Sequence, residues 1–152
     1  MDIRLVFDAE QQGADIAWSD GGLQMDGGLA TAILISLLTD ALADEGDLLP
    51  TADTDRRGWW GDTYAELPGD RIGSRLWLLS RAKQTPQTLE LARGYARDAL
   101  AWLIEDGIAA AVQVAASWYA MGVMRLDIDL APATAGETAQ RYTVTWSNSY
   151  AL

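Results

Sequence analysis

A strict alternation near the C-terminus constrains the fold of this chain more than any other feature. From residue 124 to residue 130, four apolar residues alternate with three charged ones, and residues 141–146 alternate again after a loop with proline and glycine. A period of two places successive side chains on opposite faces of a β-strand. Together with Val112 and Val114, these segments predict an antiparallel meander with one solvated face.

Two carboxylates of the first alternating segment, Asp127 and Asp129, point the same way from the predicted strand. Such a pair suggests a cation site, although carboxylates at this spacing more often mark a solvated edge. No carbonyl-rich loop of the kind that binds calcium accompanies them. The sequence therefore favours a solvated edge and predicts no metal.

Helical periodicity appears in two places before residue 83. Apolar residues recur over a broad face from residue 29 to residue 42, which indicates a mostly buried helix that Asp26 can cap. Residues 71–82 predict a short helix, on which Arg71 and Arg75 share a face because they are four apart. A solvated basic stripe explains this pair more simply than a contact with an acidic patch on a partner.

The most regular helical pattern follows Thr85. This residue suits an N-cap, and Pro86 suits the first helical position. Apolar residues then recur at helical spacing as far as Leu103, and Gly107 is placed to stop the helix in a left-handed conformation. The alanine-rich face of this helix indicates close packing within the same chain.

The N-terminal part contains two short segments with strand character. Residues 3–7 and 13–18 predict strands, with a turn over residues 19–22 that includes Asp20. The whole pattern predicts one α+β domain over residues 1–152. In this fold, two long helices plus a short one pack on an antiparallel C-terminal β-meander, with a short N-terminal strand region.

A long loop over residues 46–68 carries the most specific motif, Asp-Arg-Arg-Gly-Trp-Trp-Gly-Asp from Asp55 to Asp62. Neighbouring side chains cannot share one face of a helix or a strand, so one core does not easily bury both Trp59 and Trp60. Tryptophan is enriched where binding energy concentrates, and loops of this length are usually functional. The two rings either anchor the loop over the protein's own helices or supply an anchor for a partner, and we expect at least one of them to be accessible in the isolated chain.

Composition excludes several kinds of chemistry. The chain has no histidine and no cysteine, which removes Ser-His and Cys-His catalysis, disulfides and histidine- or thiolate-based metal sites. Its net charge of −11 argues against binding nucleic acid or an anionic membrane. The apolar run over residues 29–38 is too short to span a bilayer, and no secretory signal is evident. We expect no cofactor.

The tryptophan motif, followed by Gly-Ser-Arg-Leu-Trp-Leu-Leu over residues 73–79, resembles the Mu-type phage family of small baseplate wedge proteins. That family is related to the small wedge subunit of T-even contractile tails. The order of features also fits: a glycine-rich acidic start, an apolar helix, the tryptophan loop, a long helix and a β-rich tail. Relatives often carry Glu-Pro-Arg after the long helix, whereas Glu105 is followed here by aspartate and glycine.

The resemblance implies a structural protein and not an enzyme. It implies a subunit of the virion tail baseplate, assembled in the host cytoplasm and present in multiple copies, that binds larger wedge proteins and helps to initiate the tail sheath. The residues proposed for these protein contacts are Arg56, Arg57, Trp59, Trp60, Arg75, Trp77, Glu105, Tyr142 and Val144.

The last predicted strand is the candidate sheath contact. After Arg141 it contains no charge and no proline, the devices that normally protect a sheet edge from pairing with another chain. Such an edge can accept a partner's strand by β-augmentation.

Two other functions remain as alternatives. A tail-associated glycosidase that opens the cell wall would use a carboxylate pair, and a muralytic assay would detect it. An acidic DNA mimic fits less well, because the carboxylates are scattered between apolar runs.

Overall fold

The computed structural model describes residues 2–8, 13–19, 21–26, 28–52 and 54–147. Its elements are β1 (Asp2–Ile3), β2 (Leu5–Asp8), β3 (Gly13–Ile16), β4 (Trp18–Ser19), β5 (Gly22–Leu23), β6 (Met25–Asp26), α1 (Ala30–Leu38), two 3₁₀ helices (Trp60–Tyr64 and Arg75–Leu79), α2 (Pro86–Ala99), α3 (Trp102–Glu105), β7 (Ala109–Ala120), β8 (Val123–Pro132) and β9 (Gln140–Ser147). No helix within the described ranges is long and apolar enough to cross a bilayer.

The C-terminal sheet has three antiparallel strands in the order β7-β8-β9. Leu126 lies opposite Ala116 on one side and Val144 on the other. The alternation of β8 turns its apolar side chains to the core and its three charged residues to the opposite face. β7 and β9 are the edge strands of this sheet.

A hydrophobic core lies between the inner face of this sheet and the helices. It includes residues from α1, the second 3₁₀ helix, α2, α3 and the three strands. The largest fully buried side chains are Ile33, Leu37, Leu76, Leu100, Leu103, Met124, Leu126 and Ile128. Burial of each such side chain stabilises the fold by about 1.5–3 kcal/mol.

Three two-stranded antiparallel ribbons form the N-terminal region, pairing β1 with β6, β2 with β3 and β4 with β5. They meet at a ring of three backbone hydrogen bonds. The amide of Arg4 donates to Gln24 (2.8 Å), Gln24 donates to Ala17 (2.8 Å), and Ala17 donates to Arg4 (2.9 Å). The Thr31 hydroxyl of α1 accepts from the Leu5 amide at 3.2 Å, which fixes the ribbons on the helical body.

The long helix predicted from Thr85 begins as expected, with the Thr85 hydroxyl accepting from the Thr88 amide at 3.2 Å. It is interrupted at Leu100, whose amide donates to the carbonyls of Ala96 and Arg97 at 3.2 and 3.3 Å. The interruption brings Trp102 of α3 onto α1. Gly107 then takes the left-handed conformation with φ of 71°, as predicted.

Tertiary contacts also end α1 early. The amide of Ser74 donates to the Thr39 carbonyl at 2.9 Å, and Ala41 donates to the Ser74 carbonyl at 3.0 Å. These bonds pull the chain out of the helix after Leu38. The N-cap is Leu29 without a side-chain cap, so the prediction that Asp26 caps α1 is wrong.

The predicted fold class is wrong. Among the described residues only α2, with 14 residues, is a long helix, whereas α1 has 9 residues and α3 has 4. The short helix predicted over residues 71–82 is a 3₁₀ turn of five residues. Three small antiparallel sheets stand where we expected a short strand region. Asp20, expected in the turn, lies outside the described residues.

Candidate protein-interaction surfaces

Three exposed aromatic rings form what we call the aromatic platform, Trp59, Trp60 and Tyr64. Trp60 is 73% exposed, Tyr64 79% and Trp59 41%. The centroids of the two indoles are 5.5 Å apart, and the Trp60 and Tyr64 rings meet edge to face at 6.2 Å. The expectation that at least one of the paired indoles is accessible in the isolated chain is confirmed.

The first 3₁₀ helix sets the geometry of this platform. The ring of Trp59 lies over Gly61, where a Cβ atom would come within 2.2 Å of ring carbons. Asp62 accepts from the Ile72 amide at 3.1 Å, which ties the loop to the segment before the second 3₁₀ helix. Glycine at position 61 is therefore required for the close approach of the indole.

The two arginines of the tryptophan motif bind residues 40 and 43 and so hold the loop against the rest of the chain. Arg56 donates to the Ala43 carbonyl at 2.6 Å. Arg57, at φ of 53°, pairs with Asp40 at 2.5 Å. Its guanidinium carbon lies 4.6 Å from the centroid of the Trp77 ring.

Trp77 packs against Arg57 of the tryptophan loop. It is 3% exposed, and its indole N–H donates to the Ala41 carbonyl at 2.8 Å. A side chain buried to this extent does not offer its ring to a partner in the isolated chain. The position of Trp77 instead fixes the backbone of residues 40–43, against which the tryptophan loop packs.

Arg75 connects three parts of the chain. It pairs with Asp44, with Asp47 at 3.2 Å and with Asp98 at 2.8 Å. Its guanidinium carbon lies 4.8 Å from the centroid of the Tyr95 ring. Burial, the largest single influence, lowers the pKa of Arg75. The hydrogen bonds with Asp47 and Asp98 and the negative charges of Asp44 and Asp47 together outweigh burial and raise this pKa above its usual value. The interpretation of Arg75 as part of a solvated basic stripe is therefore wrong.

The outer face of the C-terminal sheet carries a network of charges. Arg125 pairs with Asp127 at 2.9 Å, and Arg141 pairs with Asp129 at 2.5 Å. A hydrogen bond from the Thr143 hydroxyl lowers the pKa of Asp127, and a hydrogen bond from Arg125 lowers it further. A hydrogen bond from Arg141 lowers the pKa of Asp129. Both carboxylates lie on the central strand, so the expectation of an edge is wrong. Among the described residues no group of three or more carboxylates is placed to hold a metal.

The edge strand β9 lies where the sheath contact was proposed. Val144 is 5% exposed and packs in the core, and Tyr142 is half-buried against it. A groove of about 280 Å³ is lined by residues 142–145 of β9, by residues 4–6 and by three residues of α1. Glu105 is exposed at the end of α3.

Sequence reasoning missed two features of these surfaces. Tyr64 joins the platform from the last position of the 3₁₀ helix that Trp60 begins, and its nearness in sequence to the paired tryptophans was the available signal. The other is β7, an edge strand of 12 residues without charge or proline. Side chains cover part of this edge, since Arg93 donates to the Val114 carbonyl at 3.3 Å and Gln84 to the Ala120 carbonyl at 3.2 Å.

Residues 29–139 match the model of the family described as phage protein GP46. The chain belongs to this family. It is 50% identical over 116 residues to the baseplate protein gp46 of Escherichia phage Mu, an alignment that covers 76% of this chain and 78% of the relative. It is 45% identical over 134 residues to the Mu-like prophage FluMu protein gp46 of Haemophilus influenzae, covering 88% of this chain and 90% of the relative.

These relatives confirm the Mu-type resemblance read from the tryptophan motif. The name of the Mu relative is that of a baseplate component and not of an enzyme, in agreement with the predictions of a structural role and of a place in the tail baseplate. The matched region includes the platform, the Arg75 cluster, the whole of β7 and the whole of β8.

Proposed function

We propose that this chain is a wedge subunit of a contractile phage tail baseplate, which binds larger wedge proteins through the aromatic platform and helps to initiate the sheath through β9. The observation that carries the first part is the exposure of Trp60 and Tyr64 on a loop held by partly buried hydrogen bonds. Interface hot spots are enriched in tryptophan and tyrosine. A rigid loop loses little conformational entropy when a partner covers it.

The structure limits which proposed residues can touch a partner directly. Trp59, Trp60 and Glu105 are exposed. Arg57, Arg75 and Trp77 are half-buried or buried and bound to their own chain. In this proposal they act indirectly, because they hold the loop that presents the platform.

The register of the sheet indicates how β9 would accept a strand. The Val114 carbonyl is bonded to Arg93 on the free side of β7, and Val114 lies opposite Ile128, which lies opposite Tyr142. In an antiparallel ladder, bonded and non-bonded pairs alternate. Because the Val114 carbonyl points away from β8, Val114 and Ile128 form a non-bonded pair, and Ile128 and Tyr142 form a bonded pair. The next amide, that of Thr143, therefore faces the free side of β9, and that of Val144 faces β8.

Complementation of a phage that lacks this gene tests both parts of the proposal. We expect Trp60→Ala to prevent the chain from co-purifying with the neighbouring wedge proteins, at a cost of about 2 kcal/mol or more in binding. Tyr119→Ala is the matched control, because Tyr119 is 69% exposed on a different surface. Co-purification of Trp60→Ala at the level of the unchanged chain would contradict the wedge contact.

Thr143→Pro tests the sheath contact. We expect it to allow incorporation into baseplates and to block sheath assembly, because proline removes an outward amide from the edge. Thr143→Ala is the control for the hydrogen bond that the Thr143 hydroxyl makes with Asp127 at 2.6 Å. Full-length sheathed tails containing folded Thr143→Pro protein would contradict this part.

A further inference from the structure

Two arginines in the described part of the chain lie over aromatic rings, and both also bind carboxylates. Arg57 lies over Trp77 and pairs with Asp40. Arg75 lies over Tyr95 and pairs with three aspartates. The chain thus uses the same combination twice, a guanidinium between the face of a ring and an aspartate. Both attractions are electrostatic, and they act on the same cation.

The aromatic platform offers the same combination without the guanidinium. A cleft of about 440 Å³ beside it is lined by the three rings together with Asp62, Asp70 and Arg71. In the described part of the chain, no arginine lies over Trp60 or Tyr64. Asp62 uses one carboxylate oxygen to hold the Ile72 amide, and Asp70 is exposed beside the rings.

The charge around the platform favours a cation. Glu66 is a further exposed carboxylate on the same segment, and the whole chain carries a net charge of −11. Arg71 lines the cleft and adds one positive charge, but the segment from Asp62 to Arg71 remains net negative. An approaching basic side chain is attracted by this field, and an acidic one is repelled.

We infer that the platform receives an arginine side chain from the partner, with its guanidinium over Trp60 or Tyr64 and paired with Asp70. This inference rests on the proposed function, since it names the chemistry of the partner at that surface. Arginine fits better than lysine because its planar guanidinium stacks on rings and offers paired donors to a carboxylate. The partner residue would repeat the arrangement that Arg57 and Arg75 form within the chain.

A pair of isosteric peptides tests the inference on the isolated, full-length protein. The probes are Ac-Leu-Arg-Leu-NH₂ and its citrulline analogue, which has the same shape without the charge. Binding is followed by the indole N–H signals of ¹⁵N-labelled protein, with the Trp60 signal assigned from Trp60→Phe. We expect the arginine peptide to shift the Trp60 signal and to bind about fivefold more tightly than the citrulline peptide.

Matched variants locate the effect. We expect Asp70→Asn and Tyr64→Ala to reduce the preference for arginine at least by half. Tyr119→Ala should leave it unchanged, because Tyr119 is uncharged and does not line the cleft. The backbone amide spectrum of each variant establishes that it is folded. Equal affinity for the two peptides, or a preference for arginine that survives both cleft variants, would overturn the inference.

Failure of this inference is distinguishable from failure of the proposed function. If Trp60→Ala abolishes co-purification but the peptides bind equally, the platform is a wedge contact that takes an apolar side chain, and the inference is wrong. If the arginine peptide is preferred but Trp60→Ala baseplates assemble normally, the platform binds arginine as inferred, but the wedge contact, and with it the wedge protein as the source of that arginine, is wrong.

Discussion

Replacing each of two tryptophans with alanine separates the roles that the structure assigns to them. Trp77 is 3% exposed and donates a partly buried hydrogen bond to the Ala41 carbonyl, whereas Trp60 is 73% exposed. Truncation of a buried tryptophan costs about 3–5 kcal/mol. Trp60 retains about a quarter of its surface in contacts, and at about 25 cal/mol per Å² of a ring of about 200 Å² this amounts to roughly 1 kcal/mol.

We therefore expect Trp77→Ala to destabilise the protein by about 3 kcal/mol more than Trp60→Ala does. Urea unfolding followed by far-UV circular dichroism measures both. With an m-value of about 2 kcal/mol/M, the midpoints of the two variants should differ by about 1.5 M, with similar m-values. If Trp60→Ala lowers the midpoint as much as Trp77→Ala, the platform is an anchor of the core and the reasoning is refuted.

Three further perturbations test the structure. Gly73→Ala should destabilise by at least about 2 kcal/mol more than Gly69→Ala in urea unfolding: both glycines have positive φ, but only at Gly73 does a Cβ approach backbone, 2.5 Å from a carbonyl oxygen. Thr143→Ala should raise the pKa of Asp127 towards 3.8, measured by carboxyl NMR titration. The pKa of Asp127 is lower in the folded chain than in the unfolded one, so the stability that its charged form contributes is complete above the unfolded pKa and is lost as the pH falls through the folded pKa. Asp127→Asn should therefore flatten the fall of stability with decreasing pH. Arg75→Gln should destabilise the protein by about 1–2 kcal/mol. A variant as stable as the unchanged chain would contradict a stabilising role for the contacts of Arg75 with its three aspartates and Tyr95.

The sequence predicts those elements whose signals are local. Alternation along β8 and β9 places both strands, because a buried face requires a period of two. Thr85 and Pro86 mark the start of α2, and this signal is also local because a helix cap is a contact between residues close in sequence. The tryptophan motif predicts an exposed aromatic surface because two adjacent indoles do not share one face.

The remaining features depend on contacts between distant residues. The pairing of Ser74 with Thr39 ends α1, although the apolar spacing continues beyond Leu38. The interruption at Leu100 cannot be read from periodicity, because Leu100 and Leu103 fit a continuous helix and are both buried. The partners of Arg75 lie 31, 28 and 23 residues away, which makes a bound arginine look like a solvated one in the sequence.

Hydroxyl-radical footprinting of the isolated chain and of assembled tails tests the central claim most directly, because it reports whether the platform is covered in the baseplate. Trp60 and Tyr64 are exposed, so we expect both to be oxidised in the isolated chain and protected in tails. Trp77 serves as the internal control, because it should be protected in both samples. Equal oxidation of Trp60 and Tyr64 in the isolated chain and in intact tails would contradict the account.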